Sequence, residues 1–478
     1  MKFPSDFRWG VATSSYQIEG AVEKHGRGLS VWDDFCRRPG AVRGGATGDV
    51  ACDHVNRYAQ DIGIMKQMGV DTYRFSVSWP RVMPEGVGAV SETGLGFYDR
   101  LVDDLLAAGI EPLPTLFHWD YPLMLQHRGG WLNPSSPAWF EEYTGVMVDR
   151  LSDRVSNWMT INEPQVFINL GFGDGTHAPG LKLPVSDLVL IAHRVMQAHG
   201  LAARKIRERA RTQPRVGWAP VGVVSIPETD TPDDIEAARA HAMACPPDHL
   251  WNNTWYNDPV FLGHYPQDGL QHFERYLPTH WERDLAQIHQ PMDMFGVNIY
   301  RGAVVRAGAH GVPEQVPVPI GAPRTAFGWE VTPKALYWGP KQLHDRYHRP
   351  IIITENGIAN RDWVMQDGKV HDPQRIDYTR LHLVELARAM QDGVHVEGYC
   401  HWSLLDNFEW AEGYEQRFGL VHVDFETQER TRKDSAYWYA DVIKSGGASL
   451  SAQAPAQEGP SERDTSVRGP GFPDPAGH

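Results

Sequence analysis

Cysteine is scarce in this sequence, with four residues among 478. Cys36, Cys52, Cys245 and Cys400 show none of the close spacing that zinc sites have, and so few thiols in so long a chain indicate free cysteines more than a disulfide framework. Apolar runs of about 18 residues, which a membrane-spanning helix needs, are absent. The N-terminal segment also has no apolar stretch of signal-peptide length. We therefore expect a soluble, cytoplasmic protein.

Positive charge is also limited, since 45 Lys and Arg face 60 Asp and Glu and leave a net charge of -15. No basic run or stripe interrupts this balance, which argues against nucleic acid and membranes as partners. Tryptophan, in contrast, is abundant at 17 residues. Indole rings fill cores and also stack on the apolar faces of sugar rings, so their number modestly favours a carbohydrate ligand.

Short apolar runs that resemble buried strands recur eight times along the chain. They cover residues 7–12, 72–79, 111–119, 157–162, 216–221, 292–300, 350–354 and 396–403. Amphipathic helical patterns separate several of them, including residues 55–68, 95–106, 186–209 and 377–391. Eight alternations of strand and helix predict a single α/β domain, a (β/α)8 TIM barrel with long βα loops that form the mouth of an active site.

A doubly wound sheet is the competing fold, but it requires a phosphate-binding turn that the sequence does not provide. The nearest candidate, residues 171–175, lacks the third glycine at its proper place. We place the barrel at residues 1–445. Residues 446–478 are rich in Gly, Ser, Ala, Pro and Gln and predict a disordered tail. The Gly-, Pro- and Val-rich stretch 302–325 predicts a long loop over the barrel mouth.

Two glutamates stand where an apolar run meets a chain-breaking residue. Glu163 follows residues 157–162 and precedes Pro164, and Glu355 follows residues 351–354 and precedes Asn-Gly. In a parallel barrel the carboxyl ends of all strands meet at one face, so both carboxylates are expected in one cleft. Two carboxylates across a cleft can supply the acid and the nucleophile that cleave a glycosidic bond.

Other predicted strand ends carry polar and aromatic side chains where a core would select apolar ones. They are Gln17, Arg74, His118, Trp119, Asn298, Tyr300, Trp402, Glu409 and Trp410. Amide, imidazole and carboxylate groups match neighbouring sugar hydroxyls, while indole faces match the C–H surface of a sugar ring. Each residue alone has a core-packing explanation, but their joint placement indicates a sugar site.

These segments resemble glycoside hydrolase family 1, the retaining β-glucosidases and β-glycosidases. The resemblance extends from about residue 3 to 439. It rests on FRWGVATSSYQIEG (7–20), YRFSVSWPR (73–81), FHWD (117–120), TINEP (160–164), GVNIY (296–300), ITENG (353–357) and WSLLDNFEW (402–410). The family resemblance implies a TIM barrel, β-glucosidase activity by a retaining double displacement with transglycosylation as a side reaction, and no cofactor or metal. Its partners would be small β-glycosides, cellobiose included.

The resemblance also implies a role for each site residue. Glu163 would be the acid/base and Glu355 the nucleophile, which Arg74, Asn298 and Tyr300 would support. The sugar-binding set would be Gln17, His118, Trp119, Asn162, Trp402, Glu409, Trp410 and Phe418. Trp329 would face the leaving group. Since a cation and a phenol stabilise an ionised carboxylate, Glu355 should be charged, whereas Glu163 at an apolar strand end should hold its proton.

Three residues beside these motifs depart from the family pattern: Tyr121, Gln165 and Ile299. They leave the reaction intact and bear on the choice of leaving group. Two alternatives stay open, a 6-phospho-β-glycosidase and a catalytically silent sugar-binding relative. Glu409 opposes the first, because a carboxylate repels a phosphate dianion, and the presence of both glutamates opposes the second. The sequence leaves open glucoside against galactoside, fucoside or xyloside, the aglycone and the oligomeric state, a homo-oligomer included.

Overall fold

The computed structural model describes residues 2–24 and 26–451. Within them the strands are β1 (Arg8–Ala12), β2 (Thr72–Ser76), β3 (Glu111–Phe117), β4 (Asn157–Asn162), β5 (Arg215–Ala219), β6 (Val224–Pro227), β7 (Phe295–Asn298), β8 (Gly302–Ala307), β9 (Pro313–Gln315), β10 (Ile351–Asn356), β11 (Val396–Trp402), β12 (Val421–Val423) and β13 (Arg430–Arg432).

The α-helices of the described residues are α1 (Ser15–Ile18), α2 (Val31–Cys36), α3 (His54–Met68), α4 (Trp79–Val82), α5 (Glu92–Ala107), α6 (Leu123–His127), α7 (Ser136–Leu151), α8 (Pro164–Val166), α9 (Val185–Arg209), α10 (Pro232–Met243), α11 (Thr254–Phe261), α12 (Gln267–Phe273), α13 (Trp281–Ile288), α14 (Ala335–Tyr347), α15 (Pro373–Gln391) and α16 (Asp434–Lys444). A π-helical stretch covers Phe167–Asp174. No helix in this part of the chain is long and apolar enough to cross a membrane.

Eight parallel strands form a nearly closed barrel in the order β5-β4-β3-β2-β1-β11-β10-β7. The last gap, between β5 and β7, is bridged by backbone hydrogen bonds from Asp293 N–H to Val216 O (3.0 Å) and from Asn298 N–H to Pro220 O (3.1 Å). All eight predicted strands are confirmed, and the TIM barrel with them. Because every strand runs in the same direction, their carboxyl ends share one face.

Local sequence explains why the helices pack against this barrel. In α5 the Ser91 hydroxyl accepts a hydrogen bond from Gly94 N–H and so caps the first turn. Leu95, Tyr98 and Val102 follow at helical spacing and are buried. The predicted amphipathic face therefore lies against the strands, as it does in α9 and α15.

Two predictions about loops and boundaries need correction. The segment 302–325 is more than a loop, because β8 pairs with β6 and β9 in a small three-stranded sheet beside the barrel. The predicted tail over 446–478 begins too early, since Phe3 N–H donates to Gly446 O (3.1 Å) and Leu450 is buried. The folded domain therefore includes Ser451, and the remaining predicted tail, 452–478, lies outside the described residues.

Candidate active site

A cavity of about 1000 Å³ opens at the carboxyl ends of the barrel strands. Ten of the fourteen predicted site residues line it: His118, Trp119, Glu163, Tyr300, Trp329, Glu355, Trp402, Glu409, Trp410 and Phe418. The other four, Gln17, Arg74, Asn162 and Asn298, lie directly behind this lining and hydrogen-bond to it. The structure thus brings together the whole predicted set.

Glu355, the last but one residue of β10, is held by two donors. Its Oε1 accepts from Arg74 Nη1 at 2.5 Å and its Oε2 accepts from Tyr300 Oη at 2.7 Å. Burial raises the pKa of Glu355, while the Arg74 charge and the Tyr300 hydroxyl act to lower it. The backbone beside it is close-packed, since a Cβ on Gly357 would fall 1.8 Å from Trp402 O. Glycine in the ITENG motif therefore lets β10 and β11 converge at the site.

Glu163 comes directly after β4 and has left-handed backbone geometry with φ 43°. Its side chain is buried and its Oε1 accepts from Asn298 Nδ2 at 2.9 Å. Burial raises the pKa of Glu163 to about 8, and the neighbouring Glu355 charge adds to this rise. Unlike Glu355, Glu163 has no direct ion pair with Arg74. Of the two coupled carboxyls, Glu163 is therefore the one that keeps its proton near neutral pH.

The Asn298 side chain lies between the two carboxyls. Its Nδ2 donates to Glu163 and, at 3.0 Å, to Asn162 Oδ1, while its Oδ1 accepts from Thr354 Oγ1 at 2.6 Å. After burial and Arg74, a hydrogen bond from Asn298 also acts on the pKa of Glu355. One amide, fixed on three sides, thus sets the spacing of both acids.

His118 presents a neutral imidazole to the cavity. Burial holds its pKa well below the ordinary value, and the nearby Arg74 charge acts in the same direction. One ring nitrogen, Nε2, lies 3.1 Å from Asn162 Nδ2, and Nδ1 has no hydrogen-bond partner among the described residues. The ring stacks against Trp402 at 5.8 Å and 19°. A neutral imidazole beside a flat indole suits the face of a sugar ring.

Glu409 and Gln17 form the second polar corner of the cavity. Gln17 Nε2 donates to Glu409 Oε2 at 3.2 Å and to Phe408 O at 2.8 Å, while Ser14 Oγ donates to Gln17 Oε1 at 2.6 Å. Burial raises the pKa of Glu409 well above its usual range, and the Glu355 charge raises it further. Neutral hydroxyl donors from a ligand would stabilise the ionised form of this carboxylate.

The aromatic residues divide into two groups. Trp119 and Trp410 pack at 4.5 Å, and both have left-handed φ values, 77° and 48°. Such geometry is strained for bulky residues and is concentrated at functional sites. Trp119 lines the cavity, yet its indole N–H donates to Asn162 O (3.1 Å) and is thus occupied by the protein. Its predicted contact with a ligand therefore reduces to its ring surface.

Trp329 lines the cavity with Tyr300 and Phe418 nearby, at ring distances of 5.5 and 6.4 Å. Phe327, which the sequence analysis missed, stacks on it at 4.7 Å and 14°. Phe327 also lines the cavity. The platform is therefore a pair of rings, and the alternation Phe-Gly-Trp was the local signal that could have revealed it.

A buried charge cluster behind the site also escaped the sequence analysis. The Lys433 ammonium donates to Asp362 (2.6 Å) and to Asp406 (2.7 Å), Arg417 pairs with the other oxygen of Asp406 (2.7 Å), and Arg375 pairs with Asp362 (2.7 Å). Asp406 belongs to the loop that carries Glu409, Trp410 and Phe418. The cluster therefore anchors that loop to the start of α16.

Comparison with known proteins agrees with this geometry. The profile of Glycosyl hydrolase family 1 matches residues 1–448. Beta-glucosidase A of Thermotoga maritima is 43% identical over 448 residues, which cover 93% of this chain and 98% of that protein. The 1,4-beta-D-glucan glucohydrolase of Thermotoga neapolitana is 44% identical, covering 93% and 99%. The bifunctional beta-D-glucosidase/beta-D-fucosidase of Bifidobacterium breve is 39% identical, covering 93% and 98%.

Solved structures give the same result. The Thermotoga maritima beta-glucosidase in complex with glucoimidazole superposes with a TM-score of 0.86 at 43% identity, covering 93% of this chain and 99% of that one. Its complex with deoxynojirimycin gives 0.85. This chain belongs to glycosyl hydrolase family 1.

Proposed function

We propose that this protein is a β-glucosidase that removes terminal nonreducing β-D-glucosyl residues with retention of configuration. One observation carries the proposal: two buried carboxyls flank Asn298 in opposite environments, Glu355 bonded to a cation and a phenol and Glu163 bonded to the neutral Asn298 amide. This is the division of labour that a retaining glycosidase needs. Relatives named as beta-glucosidases support it.

The roles follow from these environments. Glu163 gives its proton to the glycosidic oxygen while the Glu355 carboxylate attacks the anomeric carbon, so the leaving group departs as an alcohol and a covalent glycosyl-enzyme forms. Glu163, now ionised, then takes a proton from a water molecule. The oxygen of that water attacks the anomeric carbon, the bond between the sugar and Glu355 breaks, and the sugar is released. A sugar or alcohol in place of that water gives transglycosylation. Arg74 and Tyr300 keep Glu355 ionised before the attack.

The polar inner part of the cavity is proposed to bind one neutral hexose. His118 and Glu409 face the hydroxyls, and Asn162 and Gln17 hold these two side chains from behind. Trp402 supports the ring, with Trp410 and Phe418 completing the wall. The same set accepts β-fucosyl and β-galactosyl residues, and the bifunctional name of the Bifidobacterium relative supports the first. Cellobiose ends in a β-glucosyl residue and is a proposed substrate, which the glucohydrolase names support.

Neither alternative has comparable support. A 6-phospho-β-glycosidase would place a phosphate dianion against Glu409, and a silent relative would lack one of the two acids. A cytoplasmic location and a homo-oligomeric state stay predictions. Fractionation of source cells tests the first, and light scattering of the purified protein tests the second.

The deciding experiment is stereochemical. Proton NMR of 4-nitrophenyl β-D-glucoside during cleavage should show β-glucose first, with the α-anomer appearing only by mutarotation. The matched 4-nitrophenyl α-D-glucoside should stay intact. If α-glucose appeared first from the β-glucoside, the configuration would be inverted and the retaining mechanism would be wrong. Inverting enzymes have their two carboxyls about 6.5–9.5 Å apart. Failure to cleave any β-glucoside would overturn the function itself.

A further inference from the structure

Strand β10 carries one extra residue beside the active site. In its pairing with β7, Ile353 lies opposite Val297. Two residues further along β10, Glu355 lies opposite the very next residue of β7, Asn298. Thr354 is therefore an inserted residue, a β-bulge, and it is fully buried. Bulges redirect side chains and are frequent next to active sites, so the direction of this side chain has functional meaning.

Both branches of the Thr354 side chain are fixed. Its hydroxyl donates to Asn298 Oδ1 at 2.6 Å. Its methyl group lies next to Gly296, where an added Cβ would come within 2.9 Å of it. A β-branched side chain has few χ1 rotamers, and the methyl contact and the hydrogen bond together select one of them. The hydroxyl is therefore held in the direction of the Asn298 amide.

The orientation of the Asn298 amide follows from its other partners. Arg74 Nη2 donates to Asn162 Oδ1 at 2.6 Å, and because arginine has no acceptor, this atom of Asn162 must be the oxygen. The Asn298 atom that bonds to the same oxygen at 3.0 Å must then be the nitrogen. Its second hydrogen points to Glu163 Oε1 at 2.9 Å. The amide thus presents its oxygen to Thr354, whose hydroxyl satisfies it.

We infer that Thr354 is a positioning residue for the acid Glu163, and that it acts through the Asn298 amide from the strand that carries the nucleophile. With its oxygen held by Thr354, the amide keeps both N–H groups aligned on their acceptors. Thr354 lies behind the cavity lining, so it does not contact the sugar. The inference deepens the proposed function and rests on it, since it takes Glu163 as the proton donor.

The same amide acts on the proton affinity of Glu163. Burial raises the pKa of Glu163, and the charge of the neighbouring carboxylate raises it further. The Asn298 hydrogen bond opposes this rise, because it stabilises the ionised form. The titratable and charged groups that face Glu163 are Glu355, Arg74, Tyr300 and Glu409. Replacement of Thr354 leaves these groups in place and weakens the amide bond, so the pKa of Glu163 should rise.

Thr354→Val keeps the shape of the side chain and removes the hydroxyl. The pH profile of kcat/KM has an acid limb set mainly by Glu355 and an alkaline limb set mainly by Glu163. Complete loss of a hydrogen bond to a charged group corresponds to about one to two pKa units, so looser alignment of the amide should move the alkaline limb up by about half to one unit. The acid limb should stay in place.

The choice of leaving group gives a second measurement. A misaligned acid protonates the departing oxygen poorly, and 2,4-dinitrophenolate needs no protonation to leave. General acid catalysis contributes about 10²–10⁴ in rate, so the ratio of kcat/KM for the 2,4-dinitrophenyl glucoside to that for the phenyl glucoside should rise at least about tenfold in Thr354→Val.

Two further variants separate the hydroxyl from other effects. Thr354→Ser retains the donor and should keep the wild-type alkaline limb and leaving-group ratio. Thr160→Val is the matched control, because Thr160 is a buried threonine of β4 whose hydroxyl lies 2.7 Å from His199 Nδ1, outside the cavity lining. It removes a similar hydrogen bond and should leave both measurements at their wild-type values.

An unmoved alkaline limb with an unchanged leaving-group ratio in Thr354→Val would refute the role of Thr354 and leave the β-glucosidase function standing. Equal changes in Thr354→Ser would assign the effect to packing against Gly296 and would refute it as well. If the valine variant does not fold, Thr354→Ala compared with Thr354→Ser makes the same test without the methyl group. Failure of the wild-type enzyme to cleave any β-glucoside would instead refute the proposed function.

Discussion

The Tyr300 hydroxyl offers a direct test of how Glu355 is kept ionised. Tyr300→Phe removes one hydrogen bond of 2.7 Å to the carboxylate and leaves the Arg74 bond in place. The pKa of Tyr300 is raised well above its usual value by burial and by the Glu355 charge, so the phenol stays protonated and donates. A hydrogen bond to a charged group contributes about 1.5–3 kcal/mol. At 1.36 kcal/mol per pKa unit, the pKa of Glu355 should rise by about one to two units.

The consequence is visible in the pH dependence of kcat/KM. Activity requires ionised Glu355 and protonated Glu163, so the acid limb reports mainly the first and the alkaline limb the second, with apparent values that belong to the pair. The pKa of Glu163 lies at about 8. Tyr300→Phe raises only the lower of the two apparent pKa values, which belongs mainly to Glu355. The acid limb should therefore shift to higher pH by about one to two units, so that the pH range of activity becomes narrower on its acid side.

A second tyrosine supplies the control. Tyr98 Oη donates to the buried Glu19 at 2.6 Å, in a part of the barrel that does not line the cavity. Tyr98→Phe therefore removes a comparable bond and should leave both limbs unmoved. The assay is kcat/KM for 4-nitrophenyl β-glucoside from pH 4 to 9. A folded Tyr300→Phe enzyme with an unmoved acid limb would refute the assignment of that limb to Glu355.

Two further predictions concern the same site, and a third concerns the C-terminal end of the described chain. Glu355→Ala should abolish turnover of every substrate, whereas Glu163→Ala should still react with a 2,4-dinitrophenyl glucoside. Azide should restore turnover of the Glu163→Ala enzyme and give β-glucosyl azide as the product. Equal losses in both variants on activated and unactivated leaving groups would contradict the division of roles. A phosphate on the primary hydroxyl of the glucoside should lower kcat/KM at least about a hundredfold, because it faces Glu409 and removes a charge-assisted hydrogen bond of about 1.5–3 kcal/mol. Glu409→Ser should narrow this difference in kcat/KM between the two glucosides. Similar kcat/KM values for the glucoside and its 6-phosphate in the unmutated enzyme would favour a phosphoglycosidase. A chain cut after Ser451 should keep the rate and melting temperature of the full chain. A cut after Gly447 also removes the buried Leu450 and should lower the free energy of unfolding by about 2–5 kcal/mol. Equal melting temperatures for the two truncated chains would show that residues 448–451 do not contribute to stability.

The barrel could be predicted from the sequence because each of its strands coincides with a short segment rich in apolar and aromatic residues. The boundaries were less accurate at the carboxyl ends, where predicted strands ran on to Trp79, Trp119 and Tyr300 while β2, β3 and β7 end earlier. Trp119 and Tyr300 extend the apolar pattern but line the cavity, and Trp79 is the first residue of α4. Strands β8 and β9 were missed, since proline and glycine are frequent in 302–325 and since β8 pairs with the distant β6 as well as with β9.

The candidate site was predictable where function leaves a local motif, as around Glu163 and Glu355. The Lys433 cluster has no such motif, because its partners come from segments up to about 70 residues away and are joined only by the fold. The pairing of Phe327 with Trp329 likewise depends on which loops meet above the barrel. Motif positions were therefore accessible from sequence, and the surfaces assembled between loops were not.

The closure of the barrel has a consequence for synthesis of the chain. Strand β1 pairs on one side with β2 and on the other with β11, Arg8 opposite Gly398 through Ala12 opposite Trp402. The second partner leaves the ribosome about 380 residues after the first strand. At about 5–20 residues per second, one edge of β1 waits about 20–80 s for its neighbour. An unpaired edge attracts other strands, so during translation this nascent chain should depend on chaperones that cover its first strand.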